Sequence, residues 1–131
     1  MGMPAAKQGD RVVAVDTHIV MIPTPGGPVP TPLPHPFQGM LDGELIDTVL
    51  IDGQAAAVVG STATNSPSHV PAGGTFQAPP SNRATVFLGS STVLIGGKMA
   101  ARNGDTAMTC NDPTDLPVGT VMATGTVLIG P

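Results

Sequence analysis

Short apolar runs alternate with turn-forming residues along the whole chain. The runs are rich in Val, Ile, Leu and Thr, and four clear examples read RVVAVDTHIVMI from Arg11, DTVLI from Asp47, ATVFLG from Ala84 and GTVMATGTVLIG from Gly119. Clusters of Gly, Pro, Asn and Asp separate them, which predicts short strands at hairpin spacing. Helical spacing of apolar residues occurs only between Leu41 and Val49, where Gly43 weakens it. The pattern therefore predicts an all-β fold with little or no helix.

Two phrases recur within this pattern. The first reads TVLIDG from Thr48, TVLIGG from Thr92 and TVLIGP from Thr126, and the second reads AAKQGD from Ala5, AAVVGS from Ala56 and AARNGD from Ala100. The spacing is 12 positions both from Thr48 to Gly60 and from Thr92 to Gly104. The third copy is split between the two ends of the chain, which suits a ring of three equivalent units whose ends meet. We expect residues 1–131 to form a single domain, a small cone or pyramid of short strands and hairpins with internal pseudo-threefold symmetry.

Proline and glycine predict the connections between these units. Two segments, IPTPGGPVPTPLPHPFQG from Ile22 and SPSHVPAGGTFQAPPSN from Ser66, hold too many prolines for central strands, so we expect extended surface loops. In the Gly-Asp pairs we expect tight turns, in which Gly9 and Gly104 take positive φ and the following aspartate bonds its own backbone.

Composition excludes several classes of partner. The net charge is −4 and the five basic residues are scattered, which argues against nucleic-acid binding. No apolar stretch reaches the roughly 20 residues of a membrane span, and the N-terminal sequence does not resemble a signal peptide. The single cysteine forms no internal disulfide, which indicates synthesis and folding in the cytoplasm. With three Phe and no Trp or Tyr, the core must be built from small aliphatic side chains and needs an additional staple.

The side chains that favour transition metals all lie in the excursions between the repeats. His18 and His69 each follow a repeat glycine by nine residues, Gly9 and Gly60 respectively; Cys110 follows the third such glycine, and His35 lies within PHPF. If the excursions project to one side, their tips converge and supply three imidazoles and a thiolate. This is a complete tetrahedral set for one structural Zn²⁺ per chain, with iron as the alternative. The competing interpretation of Cys110 is a small buried apolar residue.

A second class of function is a small zinc-dependent hydrolase. Such an enzyme needs an open coordination position and a nearby general base. Four protein ligands leave no open position, and Glu44 is the only glutamate in the chain. We therefore expect no catalytic residues and no enzymatic activity.

The order of these motifs resembles the PAAR-like family. Pro4-Ala5-Ala6-Lys7 with Gly9-Asp10, then His18 and TPLPHPF, match its pattern with Lys7 in place of the motif's arginine, and Ala100-Ala101-Arg102 is a second near-match. We expected this change to matter little, since an exposed basic residue is exchangeable unless it makes a bidentate contact. The resemblance implies that His18, His35, His69 and Cys110 bind the metal near the apex of a small β cone.

The resemblance also implies a mechanical function. Members of the family cap the trimeric spike of contractile injection machines such as type VI secretion systems and phage-tail-like particles, and sharpen it for puncture of a target envelope. We therefore expect a monomer that binds a trimeric, VgrG-like spike protein in a one-to-three ratio and meets the target membrane only transiently, with effector or toxin proteins as further partners. The protein would be assembled into the particle in the cytoplasm and delivered outside the cell.

Overall fold

Strands and turns, with no helix, make up the part of the chain that the computed structural model describes, residues 2–131. The strands are β1 (Met3–Pro4), β2 (Arg11–Ile22), β3 (Val29–Gly43), β4 (Ile46–Ile51), β5 (Gln54–Ala56), β6 (Thr62–Asn65), β7 (Thr75–Phe76), β8 (Arg83–Val86), β9 (Leu94–Ile95), β10 (Lys98–Met99), β11 (Thr106–Thr109), β12 (Leu116–Met122) and β13 (Leu128–Ile129). Strands and isolated bridges together account for 54% of the residues, which confirms the all-β prediction. Within this range no helix exists that could span a membrane.

Six of the strands form a sheet that closes on itself. The hydrogen-bonded order is β12-β11-β8-β6-β3-β2, and β12 also pairs with β2, where Val121 lies opposite Val12. All these pairings are antiparallel. Closure leaves no free edge over the paired region, the feature by which small β proteins avoid edge-to-edge association. The short β7 adds to β2 beyond the closed part.

Three two-stranded hairpins carry the repeated TVLI phrases. β4 pairs with β5 and β9 with β10, while the third hairpin joins the two ends of the chain, β13 with β1. The equivalent register pairs are Ile51 with Gln54, Ile95 with Lys98, and Ile129 with Met3. The split third copy is therefore completed by the chain termini, as the sequence predicted.

A closed ring links the three hairpins to the six-stranded sheet. Isolated bridges join the second phrases cyclically, as Ala5–Arg102, Lys7–Ala56 and Val58–Ala100. Inside it, the N–H of Ala6 donates to Ala101 O at 2.9 Å, that of Ala101 to Ala57 O at 3.0 Å, and that of Ala57 to Ala6 O at 3.0 Å. Three segments that bond each other in a cycle cannot stack as a linear solenoid. The pseudo-threefold arrangement predicted from the repeats is thus present at this ring.

Each second phrase ends in the same tight turn. The turn glycines Gly9, Gly60 and Gly104 have φ of 92°, 99° and 90°, which favours glycine. Asp10 and Asp105 each accept a backbone N–H three residues earlier, and Ser61 accepts the equivalent bond in the second copy.

The basic residue of the motif is less exchangeable than the sequence suggested. Lys7 pairs with Asp10 at 3.0 Å and is largely buried, with 13% of its side chain exposed. Its counterpart Arg102 contacts both oxygens of Asp105, at 3.2 and 2.9 Å. The expectation of a freely exposed Lys7 was wrong, because the ring packs the basic side chain over the turn.

Two small hydrophobic cores lie on either side of the ring, one among the hairpins and one inside the closed sheet. The hairpins share Ala5, Ile51, Ala56, Ala100 and Ile129. The closed sheet packs around Val12, Phe37, Leu41, Val86 and Val121 with many alanines. About half of the buried apolar residues that the structure describes are alanines. Each alanine buries little apolar area, so these cores contribute less stabilisation than cores of Leu or Phe would.

The first proline-rich segment is not a loop, and that prediction was wrong. Only its beginning forms the turn between β2 and β3; residues from Val29 onward belong to β3. Pro30, Pro32, Pro34 and Pro36 alternate along the strand and lie opposite residues of β2. Leu41, in the same alternating set as Leu33 and His35, bonds toward β2 through both its N–H and its C=O. The prolines therefore take the other positions, at which an N–H would point away from β2. On that side no further strand pairs with residues 29–38 of the described chain, so the lack of an N–H costs no hydrogen bond.

Candidate metal centre

The first two side chains of the site lie on the inner face of β2. Side chains alternate between the two faces of a strand, so Asp16 and His18 point to the same side. They are 0% and 1% exposed, respectively. In the register of β2 and β3, His35 lies directly opposite Asp16. Two neighbouring strands thus bring one carboxylate and two imidazoles to one buried surface.

The segments that follow Gly60 and Gly104 supply the remaining side chains. His69 follows β6 and is held by Asn82, whose Oδ1 accepts the backbone N–H of His69 at 2.8 Å. Asn65 Nδ2 lies 3.2 Å from His69 Nδ1. Cys110 follows directly after the last residue of β11 and is buried and free of any disulfide. The excursions of all three units therefore converge, as the sequence predicted.

Four side chains form a compact cluster. Asp16, His18, His69 and Cys110 each offer one ligand atom, and these atoms all lie within 4.8 Å of one another. Asp16 Oδ2 is 2.8 Å from His69 Nε2 and accepts the Cys110 thiol at 3.4 Å. Its other oxygen, Oδ1, accepts the hydroxyl of Thr109 at 2.5 Å. This cluster holds nitrogen, sulfur and oxygen donors and can bind a transition metal such as zinc or iron.

His35 borders the cluster. Its ring centre lies 5.5 Å from that of His18 and 5.3 Å from that of His69, and the His18 and His69 centres are 5.0 Å apart. Zn–N bonds of about 2.0–2.1 Å in tetrahedral geometry place the centres of three coordinating imidazoles about 5 Å apart. The Nδ1 of His35 lies 3.0 Å from the carbonyl of Leu33, so Nε2 is the nitrogen that would bind a metal. A backbone carbonyl on the far nitrogen is the usual orienting contact of a metal-bound histidine.

His18 supplies the test of whether a metal fits. Both of its ring nitrogens are buried, and neither makes a hydrogen bond with the described residues. Nδ1 is 3.5 Å from Asp112 Oδ1, an electrostatic contact without hydrogen-bond geometry. Leaving a buried polar atom unsatisfied costs about 1–3 kcal/mol. A metal bound at Nε2 removes that cost for one ring nitrogen, and Asp112 can orient the ring through the other, Nδ1.

The pKa values describe the site without metal. Burial lowers the pKa of His69, against the opposing effect of its hydrogen bond to Asp16. Burial also raises the pKa of Cys110 to about 11, and the neighbouring Asp16 charge adds to this, while the backbone of Asn82 and Arg83 acts in the opposite direction. A neutral His69 is ready to bind a metal, whereas the Cys110 thiol must first lose its proton.

Aromatic side chains enclose the histidines. Phe76 of β7 packs against His18 and His35, with ring centres 5.8 and 5.5 Å apart, and Phe37 packs against His69 at 6.1 Å. The four clustered residues and His35 are each no more than 9% exposed. The site is therefore shielded from solvent, which suits a metal that crosslinks the fold.

Three of the four residues expected to bind metal, His18, His69 and Cys110, lie in the cluster, and His35 adjoins it. Its role as a ligand stays a prediction. Sequence reasoning missed Asp16. The available signal was its position two residues before His18 within a β-branched run, which places both on one strand face.

Fold and site together define a class of protein. It is a small all-β protein with a pseudo-threefold ring at its centre and a buried cluster of imidazole, thiol and carboxylate groups on one side. A comparison with protein families matches residues 21–108 to the PAAR motif, which is more than half of the chain. The chain therefore belongs to the PAAR family, the spike-tip proteins of type VI secretion systems. A comparison with curated proteins gives no match.

Family membership sets the general function. The protein is a spike-tip protein of a contractile injection system. PAAR proteins are structural, sit on the spike proteins of these systems and belong to secreted injection machinery.

Proposed function

We propose that one copy of this chain, folded as a single domain, caps a trimeric VgrG-like spike and gives it a sharp tip. The observation that carries the proposal is the set of three equivalent leucines on the hairpins. Leu50, Leu94 and Leu128 occupy the same place in the three TVLI phrases, and their exposed fractions are 62%, 63% and 60%. A chain with three matching apolar contacts is suited to three identical partner ends, so the complex closes at one to three.

The surroundings of the leucines support an apolar, β-rich contact. Val49, Val127 and Met3 are also exposed on these hairpins. Beneath them, Ile51 and Ile129 are buried in the hairpin core, so the leucines project from a packed support. A contact of this kind depends little on charge, and the complex should survive high salt.

The metal would stabilise the opposite side of the ring. We propose one structural zinc or iron ion per chain, held by His18, His35, His69 and Cys110. The cores are small and rich in alanine, so a crosslink between strands from all three units would contribute much of the stability of the tip. Binding of the metal would then be coupled to folding.

The alternative of a zinc-dependent hydrolase is less well supported. A hydrolase needs its substrate to reach the metal, and the candidate donors are buried beneath Phe76. Injection would deliver the protein outside the producing cell and into brief contact with a target membrane. Effector proteins could dock on its loops without any change in the capping contact.

The capping proposal is tested by native mass spectrometry of the metal-loaded protein mixed with a purified trimeric spike protein. We expect a monomer alone and a complex of one chain with three spike subunits. A ratio of one to one or three to three would overturn the proposal. Leu94→Asp should abolish the complex, and the circular dichroism of the variant shows whether its fold is intact.

A further inference from the structure

We propose that Asp16 is itself a ligand of the metal centre, through Oδ2, and that its charge neutralises the centre. The inference rests on the metal-binding part of the proposed function and deepens it. It changes the expected donor set from three nitrogens and one sulfur to three nitrogens, one sulfur and one oxygen.

The position of Asp16 is the first reason. Every other candidate donor neighbours it. His69 Nε2 lies 2.8 Å and Cys110 Sγ 3.4 Å from Asp16 Oδ2. His35 lies opposite Asp16 in the pairing of β2 with β3, and His18 is two residues further along β2. Distances of this size separate atoms that coordinate one metal ion, since metal–ligand bonds measure about 2.0–2.3 Å.

The hydrogen bonds of Oδ2 are the second reason. Its two partners, His69 Nε2 and Cys110 Sγ, are the atoms that must bind the metal, and each loses its proton from that position when it does so. Oδ2 would then face a lone pair and a thiolate inside a residue that is 0% exposed. A bond to the metal restores a partner to this oxygen, while Thr109 continues to donate to Oδ1.

Charge is the third reason. A divalent ion with three neutral imidazoles and one thiolate leaves one net positive charge in a buried site. A buried charge without a partner is costly. The Asp16 carboxylate brings the sum to zero.

The test compares wild type with Asp16→Asn, which keeps the shape of the side chain and removes its charge. Co²⁺ serves as the probe, because its visible bands are weaker in five-coordinate than in tetrahedral sites and its sulfur charge-transfer band reports Cys110. We expect a five-coordinate spectrum with the sulfur band in wild type, and stronger, tetrahedral bands with the sulfur band retained in Asp16→Asn. Zn²⁺ affinity, measured by chelator competition, should fall at least about tenfold. Asp10→Asn, which removes an equal charge at the ring, should leave both readings unchanged.

A measurement on wild type alone covers the case in which Asp16→Asn does not fold. X-ray absorption at the zinc edge of the loaded protein should give one sulfur and four nitrogen or oxygen neighbours. One sulfur and three lighter neighbours, or identical cobalt spectra for the two proteins, would overturn the role of Asp16 and leave the His/Cys site standing. A wild-type protein that binds neither Co²⁺ nor Zn²⁺ would refute the metal site as a whole, whereas spike binding is tested separately.

Discussion

Removing the three hairpin leucines one at a time gives the most direct reading of the capping surface. Leu50→Ala, Leu94→Ala and Leu128→Ala each delete an equivalent apolar contact. Complete burial of a leucine side chain contributes about 1.5–3 kcal/mol. Since about 60% of each residue is exposed and available to a partner, each leucine should contribute about 1–2 kcal/mol to binding. That corresponds to a loss of affinity of about 5- to 30-fold per substitution.

The equality of the three losses, which follows from symmetry, is a sharper test than their size. On three identical spike ends the three contacts are alike, so the three variants should lose the same affinity, and the losses should add because the sites do not touch one another. The triple variant should bind about 10²- to 10⁴-fold more weakly. Titration against an immobilised spike trimer measures these losses, and thermal unfolding shows whether each variant stays folded.

A matched control lies on the closed sheet. Leu116 of β12 is 40% exposed but belongs to none of the three hairpins. Leu116→Ala should bind as wild type does. If Leu116→Ala lost as much affinity as the hairpin variants, or if one hairpin leucine carried all of the loss, the threefold contact would be refuted.

Two further predictions concern the metal and the strand edge. Because the pKa of Cys110 is raised to about 11, the free thiol is protonated across pH 7–9, and each bound metal releases that proton. The logarithm of the metal affinity, measured by chelator competition, should therefore rise by about one per pH unit. Cys110→Ser should flatten this slope. Changing Pro30, Pro32, Pro34 and Pro36 together to Thr restores N–H donors on the open side of β3, so light scattering should show self-association. Thr in place of Pro23 and Pro28 in the turn should leave the protein monomeric.

Local patterns in the sequence predicted most of the strands. The run from Arg11 to Ile22 is β2 residue for residue, and the three TVLI phrases form the three hairpins. These predictions succeeded because strand formation and turn chemistry depend on neighbouring residues. Closure of the sheet by β12 on β2 joins residues more than 100 positions apart, and no local pattern reports it.

Two of the misses, the loop expected in place of β3 and the omission of Asp16, have a common cause. For β3, the high proline content argues against a strand, whereas the period of two leaves the hydrogen bonds to β2 intact. Asp16 was not among the residues expected at the site, although its spacing of two from His18 places both on the buried face. In both cases the side of the strand on which a group lies decided the outcome, and composition does not contain that information.

The three corners of the ring differ, yet the difference cannot orient the cap. Two corners carry an ion pair, Lys7 with Asp10 and Arg102 with Asp105, whereas Val58 and Ser61 make the third corner neutral. If the spike is a trimer of identical chains, turning the cap by 120° returns the same set of contacts, so the three orientations have equal free energy whatever the corners contain. The β2–β3 hairpin, which follows Gly9 and has no counterpart of this length after Gly60 or Gly104, should therefore lie beside any one of the three spike chains with equal probability. A spike trimer labelled on one of its three chains, capped with a protein labelled on this hairpin, should give the three label-to-label distances in equal amounts, and a single distance would show that the partner is not threefold at its end.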